Sequence, residues 1–275
     1  IKGKMGFGYD NNLLRLSDKE ITEGDVNQYG ITSTLDSPIL KPGLKLIYSP
    51  AIIDGKTTNI IASVSYSHFT QAAQKSYLIN NVSLELKLRS YSWLKVGIRD
   101  IPEYYLRNYH DLDLSNVDYY NCTFSSQKYY GSYSFPIKYI RKTWVRIYTD
   151  FTKEYYNSHF TEFDLNKYML QIAINHRFKN KNKMKLSISH GSAENISYGS
   201  RLTSTSFDRS YIFDRLQSEF IYKNKRDNIF DKFGISFQLE QRYYKLESSQ
   251  YSFDNWKFYL DGLTKIWIDW DFMDN

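Results

Sequence analysis

The sequence predicts an all-β chain: a closed, antiparallel, up-and-down transmembrane β-barrel of about twelve strands, with short turns at one end and longer loops at the other. Three observations carry that expectation. Apolar and polar residues alternate with period two along segment after segment, as in strands with two unlike faces. Several of these segments are much longer than the five or six residues usual in soluble strands. Aromatic residues make up 17% of the 275 positions, with 26 Tyr, 17 Phe and 5 Trp.

Bulk composition narrows the field. Hydrophobic residues are 41% and the mean hydropathy is −0.56, an average that resembles a soluble protein. No window approaches eighteen consecutive apolar residues, which excludes a membrane-spanning helix. No charged-then-apolar leader stands at Ile1, so an exported chain is expected to have lost its leader already. Cys122 is alone, which excludes a disulfide framework and a thiolate metal site. The net charge of +6 is spread among acidic residues rather than gathered in a block, so no nucleic-acid partner is expected. No linker divides the chain, and residues 1–275 are expected to form one domain.

The elements follow in order. Gly6 to Asn12 reads as an opening strand. Ile60, Ala62, Val64 and Tyr66 alternate with Ser63, Ser65 and Ser67. Val82, Leu84, Leu86 and Leu88 alternate with Ser83, Glu85, Lys87 and Arg89. Phe135, Ile137 and Tyr139 face away from Ser134 and Lys138, and Val145, Ile147, Thr149 and Phe151 alternate with Arg146, Tyr148 and Asp150. Tyr168, Leu170, Ile172 and Ile174 alternate with Lys167, Gln171 and Asn175. Phe233, Ile235, Phe237 and Leu239 alternate with Gly234, Ser236, Gln238 and Glu240. The last and longest run places Trp256, Phe258, Leu260, Ile266, Ile268, Trp270 and Phe272 on one face.

The connections take turns between two classes. Short polar ones lie near Asp54 and Gly55, Ser90 to Ser92, Arg141 and Lys142, Lys179 to Lys183, and Lys223 to Asn228. Longer ones run over Leu16 to Asp36, Thr70 to Ser76, Tyr105 to Asn116, Glu154 to Glu162, Gly191 to Phe207, and Leu246 to Ser252. Five short and six long connections join twelve strands and leave both termini at the short-turn end. That layout fits short periplasmic turns, longer outer loops and an even strand number. Closure is expected because lipid cannot hydrogen-bond a free strand edge. Tyr48, Tyr66, Trp93, Tyr104, Trp144, Tyr155, Tyr168, Tyr243, Trp256 and Trp270 fall near strand ends, where aromatic girdles meet the two membrane interfaces.

On these residues the chain resembles bacterial outer-membrane β-barrels. The run from Ile266 to Phe272 is similar to the aromatic-ended last strand that the barrel assembly machinery recognises, although Met273 to Asn275 follow it. The opening Gly6 to Asn12 resembles first strands of several barrel families, including barrels attached to periplasmic helical repeats. In size and strand count the chain is similar to nucleoside channels, autotransporter translocators and the outer-membrane phospholipase. The resemblance implies residence in the bacterial outer membrane among lipid and lipopolysaccharide, and dealings with the assembly machinery during biogenesis.

If the apolar faces meet lipid, the other faces line a lumen. Lys45, Glu85, Lys87, Lys95, Arg99, Arg146, Asp150, Lys167, Arg215, Glu219, Glu240, Arg242, Lys257, Asp261, Lys265 and Asp269 are the candidate lumen residues. Their cationic surplus fits a passive channel for small polar or anionic solutes, without cofactor or catalysis. The same residues could instead plug the barrel with paired charges, leaving an anchoring, assembly or surface-export role with a periplasmic domain upstream of Ile1. The acidic residues Asp18, Glu20, Glu23 and Asp25 suit a first loop that folds into the mouth.

Catalysis is the third possibility. A lipid-face esterase needs a Ser, a His and an orienting polar group together on the outer wall. His68, His176 and His190 fall on apolar faces, but no Ser with a clear nucleophile context stands out beside them, and interfacial histidines are the plainer expectation. His110, Asp111 and Asp113 could hold a water or a metal, yet match no standard ligand spacing. Gly6-Phe7-Gly8 lacks the strand–helix unit of a phosphate loop, and the sequons at Asn81, Asn121 and Asn195 carry little weight in a bacterial barrel.

Overall fold

Alternation becomes geometry in twelve antiparallel strands that close into a barrel. They are β1 (Lys2–Asp10), β2 (Ser37–Tyr48), β3 (Thr57–Phe69), β4 (Tyr77–Arg89), β5 (Ser92–His110), β6 (Tyr119–Pro136), β7 (Thr143–Tyr156), β8 (Leu165–Arg177), β9 (Lys183–Asn195), β10 (Tyr211–Lys223), β11 (Lys232–Tyr244) and β12 (Phe258–Asp271). The computed structural model describes residues 1–14, 16, 28–30, 35–110, 118–196, 210–223, 232–244 and 258–271, with backbone alone at 162, 232, 244 and 258–271. Each strand pairs with its sequence neighbours, and β1 closes on β12 through Lys4–Asp271 to Phe7–Ile268. Closure leaves no strand edge for lipid to meet.

The burial pattern is that of a soluble protein turned inside out. Val82, Leu84, Val96, Ile98, Leu170, Ile172, Ile174, Leu186, Ile188 and Leu216 are exposed on the outer wall. Ser83, Ser132, Ser134, Ala173, Ser187, Ser189 and Ala193 are buried beneath long polar side chains on the inner one. Small inward residues leave room for guanidinium and ammonium stems across a narrow lumen. No described helix is long and apolar enough to cross a membrane. Strands of 12–14 residues supply the tilted crossing of about 9–11 that a bilayer needs.

Four of the short turns, those among the described residues, share one device. Gly55, Tyr91, Lys142 and Lys181 each adopt positive φ, between 58° and 69°. Three of the four carry a Cβ where left-handed backbone disfavours it by roughly 1–2 kcal/mol.

Several expectations change. The ladders continue past Gly191 and Glu154, expected to open loops, so that β9 ends at Asn195 and β7 at Tyr156. The segment read as a loop from Tyr105 continues as strand to His110, because bulges between Ile101 and Tyr104 and between Tyr105 and Arg107 break the two-residue period without ending the ladder. Ile137 and Tyr139 belong to the turn after β6 rather than to a strand. Pro136 is the last residue of the ladder, the Ile137 amide donates to the Thr143 carbonyl at 3.0 Å, and Tyr139 is 87% exposed.

The aromatic girdle is also redistributed. Tyr48, Tyr66, Tyr155, Tyr168 and Tyr243 do stand exposed on the outer wall. Trp93 and Trp144 instead share the inward parity, 6.0 Å apart, with Tyr91 stacked on Trp144 at 5.0 Å. Tyr104 turns inward because the bulge shifts its parity, and it packs on Phe124 at 5.2 Å. The side chain of Trp270 and all of Trp256 lie outside the described residues.

Candidate functional site

Inside the level of Tyr129, Phe151 and Tyr168, the described outer wall carries a row that lipid contact does not explain. Across β8 to β11 the register aligns Leu170, His190, Asp214 and Gln241 on one level. The level toward the longer loops holds Tyr168, Ser192, Ile212 and Tyr243, and the level toward the short turns holds Ile172, Ile188, Leu216 and Leu239. The polar row therefore sits one step inside an aromatic pair and directly above aliphatic rows. Lipid-facing alternation from Met184, Leu186 and Ile188 brings the outward parity to His190 and then Ser192.

His190 Nδ1 lies 2.9 Å from Asp214 Oδ1, with the side chains 69% and 58% exposed. A carboxylate only accepts, so Nδ1–H donates and Nε2 is left to take a proton. Orienting an imidazole this way is the role of the acid in nucleophile–base–orienter arrangements. Ser192 follows His190 by two strand residues, about 6.7 Å along the chain, and its hydroxyl shares the outer face. No hydrogen bond joins Ser192 to His190 among the described residues. Such contacts are often long before substrate binds.

Gly191 makes the mounting possible. A Cβ there would lie 2.3 Å from the Tyr168 carbonyl oxygen and 2.5 Å from the Phe213 ring. The strand carrying His190 and Ser192 is thus pressed against its neighbour and against Phe213 on the inner side.

Two clefts on the outer wall meet at His190. One of about 380 Å³ is bordered by His190, Asp214 and Gln241 and floored by Ile172, Ile188 and Leu239. The other, about 1070 Å³, runs past Leu170, His190 and Ser192 toward Phe151, Ile98 and Val82. An ionisable pair facing lipid gains little stability from its position, so a functional role is the default reading of such a pair.

The other outward histidines differ. His176 Nδ1 lies 2.7 Å from Thr143 Oγ1 beside the turn. His68 is 3.4 Å from Ser76 Oγ, but that oxygen also accepts from the Phe69 amide, and no carboxylate among the described residues orients the ring. His110 ends β5 against Tyr119, while Asp111 and Asp113 lie outside the described residues. No cluster able to hold a metal occurs among the described residues.

The inner wall gathers charge in paired rows. Glu85, Lys95, Arg99, Arg146, Asp150, Lys167, Arg215, Glu219, Glu240 and Arg242 have the parity opposite to the exposed aliphatics. Lys45 and Lys87 share that parity near the short-turn end, where both are exposed. Lys128 meets Asp150 at 3.2 Å, Lys167 meets Glu154 at 2.7 Å, and Glu240 accepts from Arg215 and Arg242 at 2.5 Å each. Arg146 donates to Ser132 at 3.3 Å, and Asn59 to Glu85 at 3.4 Å. Lys257 lies outside the described residues, and Asp261, Lys265 and Asp269 are described by backbone alone. Lys128, Glu154 and Lys185 escaped sequence reading. In β6 the reason is that Tyr and Ser alternate, and neither type reveals which face is wet.

This is an outer-membrane β-barrel with ionisable groups on both walls. No protein-family profile and no curated protein matches the chain. Among solved structures it is similar to OmpTdeltaL8, a loop L8 deletion mutant of OmpT, an outer membrane protein of Vibrio cholerae. That match has a TM-score of 0.37 and 10% identity, and covers 98% of this chain and 74% of the other. It is also similar to LpxR from Salmonella typhimurium, with a TM-score of 0.35, 10% identity and 98% coverage of both chains. OccAB4 of Acinetobacter baumannii matches with a TM-score of 0.26 and 7% identity, over 98% of this chain and 97% of that one. Similarity at this level carries no argument about activity, which has to come from the site.

Proposed function

We propose that the barrel is an outer-membrane lipid esterase working on its membrane-facing wall. The observation that carries this reading is the His190–Asp214 hydrogen bond, 2.9 Å long and exposed among aliphatic residues beside Ser192. In the proposed reaction Ser192 Oγ attacks the carbonyl carbon of a lipid acyl ester and passes its proton to His190 Nε2. Asp214 holds the ring and stabilises the imidazolium. The Gln241 amide, next to Asp214 in the same row and bordering the same cleft, is the side-chain donor we assign to the developing oxyanion. His190 returns the proton to the leaving alcohol, and water then releases the acyl group from Ser192 by the same path in reverse. Ile172, Ile188 and Leu239 supply an apolar bed for the acyl chain.

The test is fatty-acid release from a diacyl phospholipid in mixed micelles by the refolded barrel. Release by the wild type and none by Ser192→Ala supports the reading; a folded wild-type barrel that releases nothing sinks it.

A second reading has its own support. The inner wall encloses a cavity of about 270 Å³ bordered by charges of both signs, which fits a narrow passive channel for small polar or anionic solutes. Discrete current steps in a planar bilayer would favour it. Silence from an inserted barrel would favour a lumen filled for structural reasons, as in an anchoring or assembly barrel.

A further inference from the structure

From the lumen cavity we infer an oxyanion-binding site centred on Arg99. The cavity lies on the loop-side half of the inner wall, where Arg99, Lys128, Lys167 and Arg215 face Asp150 and Glu154. Its two carboxylates are engaged by Lys128 and Lys167, and Arg215 is held by Glu240 just beyond it. Arg99 is left over: it has no carboxylate partner among the described residues, and its Nε is buried without a hydrogen bond. A guanidinium always carries its charge. Half-buried, with its Nε shielded and no carboxylate opposite among the described residues, this charge has hydrogen-bonding capacity that an anion can complete.

The space suits a small occupant. About 270 Å³ equals the liquid volume of roughly nine waters, enough for a phosphate or sulfate with residual hydration. Net lining charge favours an anion, since four cations face two carboxylates. Ser126 borders the same space and offers a hydroxyl donor, whereas the Thr152 hydroxyl already donates to Asp150 at 3.3 Å. The planar guanidinium matches two oxygens of a tetrahedral oxyanion at once. The ligand class is therefore a free inorganic oxyanion reaching the site through the aqueous lumen, and the inference does not rest on the esterase reading.

Isothermal titration of the full-length refolded barrel with inorganic phosphate, and separately with sulfate, tests the site at constant ionic strength. Saturable binding of at least one oxyanion is expected, weakened tenfold or more in Arg99→Gln and less in Arg99→Lys. Ser192→Ala should bind as the wild type does, which separates this site from the outer wall. Absence of saturable heat with the wild type overturns the inference, and so does undiminished binding by a folded Arg99→Gln barrel. Should Arg99→Gln fail to fold, undiminished binding by Arg99→Lys together with Lys128→Gln serves the same purpose.

Discussion

The two walls of the barrel use charge in opposite ways. On the inner wall Lys128, Asp150, Lys167, Glu154, Arg215, Glu240 and Arg242 share one polar layer, and Asp150, Glu154 and Glu240 are each engaged by at least one cation. On the outer wall Asp214 and His190 stand above aliphatic rows, with Gln241 beside them. The inner pairs are needed because small inward residues leave long side chains of opposite charge to satisfy one another. The outer pair satisfies nothing but itself. Charge that the fold does not require is where chemistry is to be sought.

Several substitutions can break or sharpen that contrast. The largest effect belongs to Ser192→Ala and His190→Ala, each expected to lower ester hydrolysis on the order of 10⁴-fold or more without altering the heat-modifiable gel shift of the folded barrel. Asp214→Ala should cost about 10²–10⁴-fold in kcat, since the ring loses its orienter and not its base. Stability should respond the other way round. Glu240→Ala leaves two half-buried guanidinium groups without their shared carboxylate, and urea unfolding should show a loss of about 1.5–3 kcal/mol. The double replacement His190→Leu with Asp214→Leu should leave unfolding unchanged or make the barrel slightly more stable, because lipid-facing charge is removed. Gly191→Ala falls between the two walls, with an overpacking loss of about 1–3 kcal/mol and a fall in activity as β9 shifts against β8. The smallest effect is Lys142→Gly or Lys181→Gly, each relieving a positive φ and gaining on the order of 1 kcal/mol.

Much of this architecture is legible in the residues. Period-two runs such as Val82 to Leu88 and Tyr168 to Ile174 predict both strand and facing, since a lipid-facing wall demands apolar residues at every second position. Loop parity predicts the number of strands for the same physical reason, that a barrel must close. The bulged hairpin of β5 and β6 was opaque because an inserted residue inverts facing without changing composition, which also misdirects Tyr104. Trp93 and Trp144 misled differently: aromatic rings at strand ends suit the interface and the lumen floor equally well. The outer-wall site was half visible. His190 was placed on an apolar face by parity, but the loop expected from Gly191 hid Ser192, which β9 carries on the same face. Asp214 lies twenty-four residues further on, and only the β9–β10 register brings it opposite His190.

The most direct test of the central claim is active-site labelling. A fluorophosphonate carrying a long alkyl chain, applied to the refolded barrel in micelles and followed by peptide mass spectrometry, should form a single adduct on Ser192. The adduct should disappear in His190→Ala, because the serine is nucleophilic only with its base in place. A folded barrel that takes up no label at Ser192, or takes it equally well without His190, would contradict the outer-wall chemistry described above.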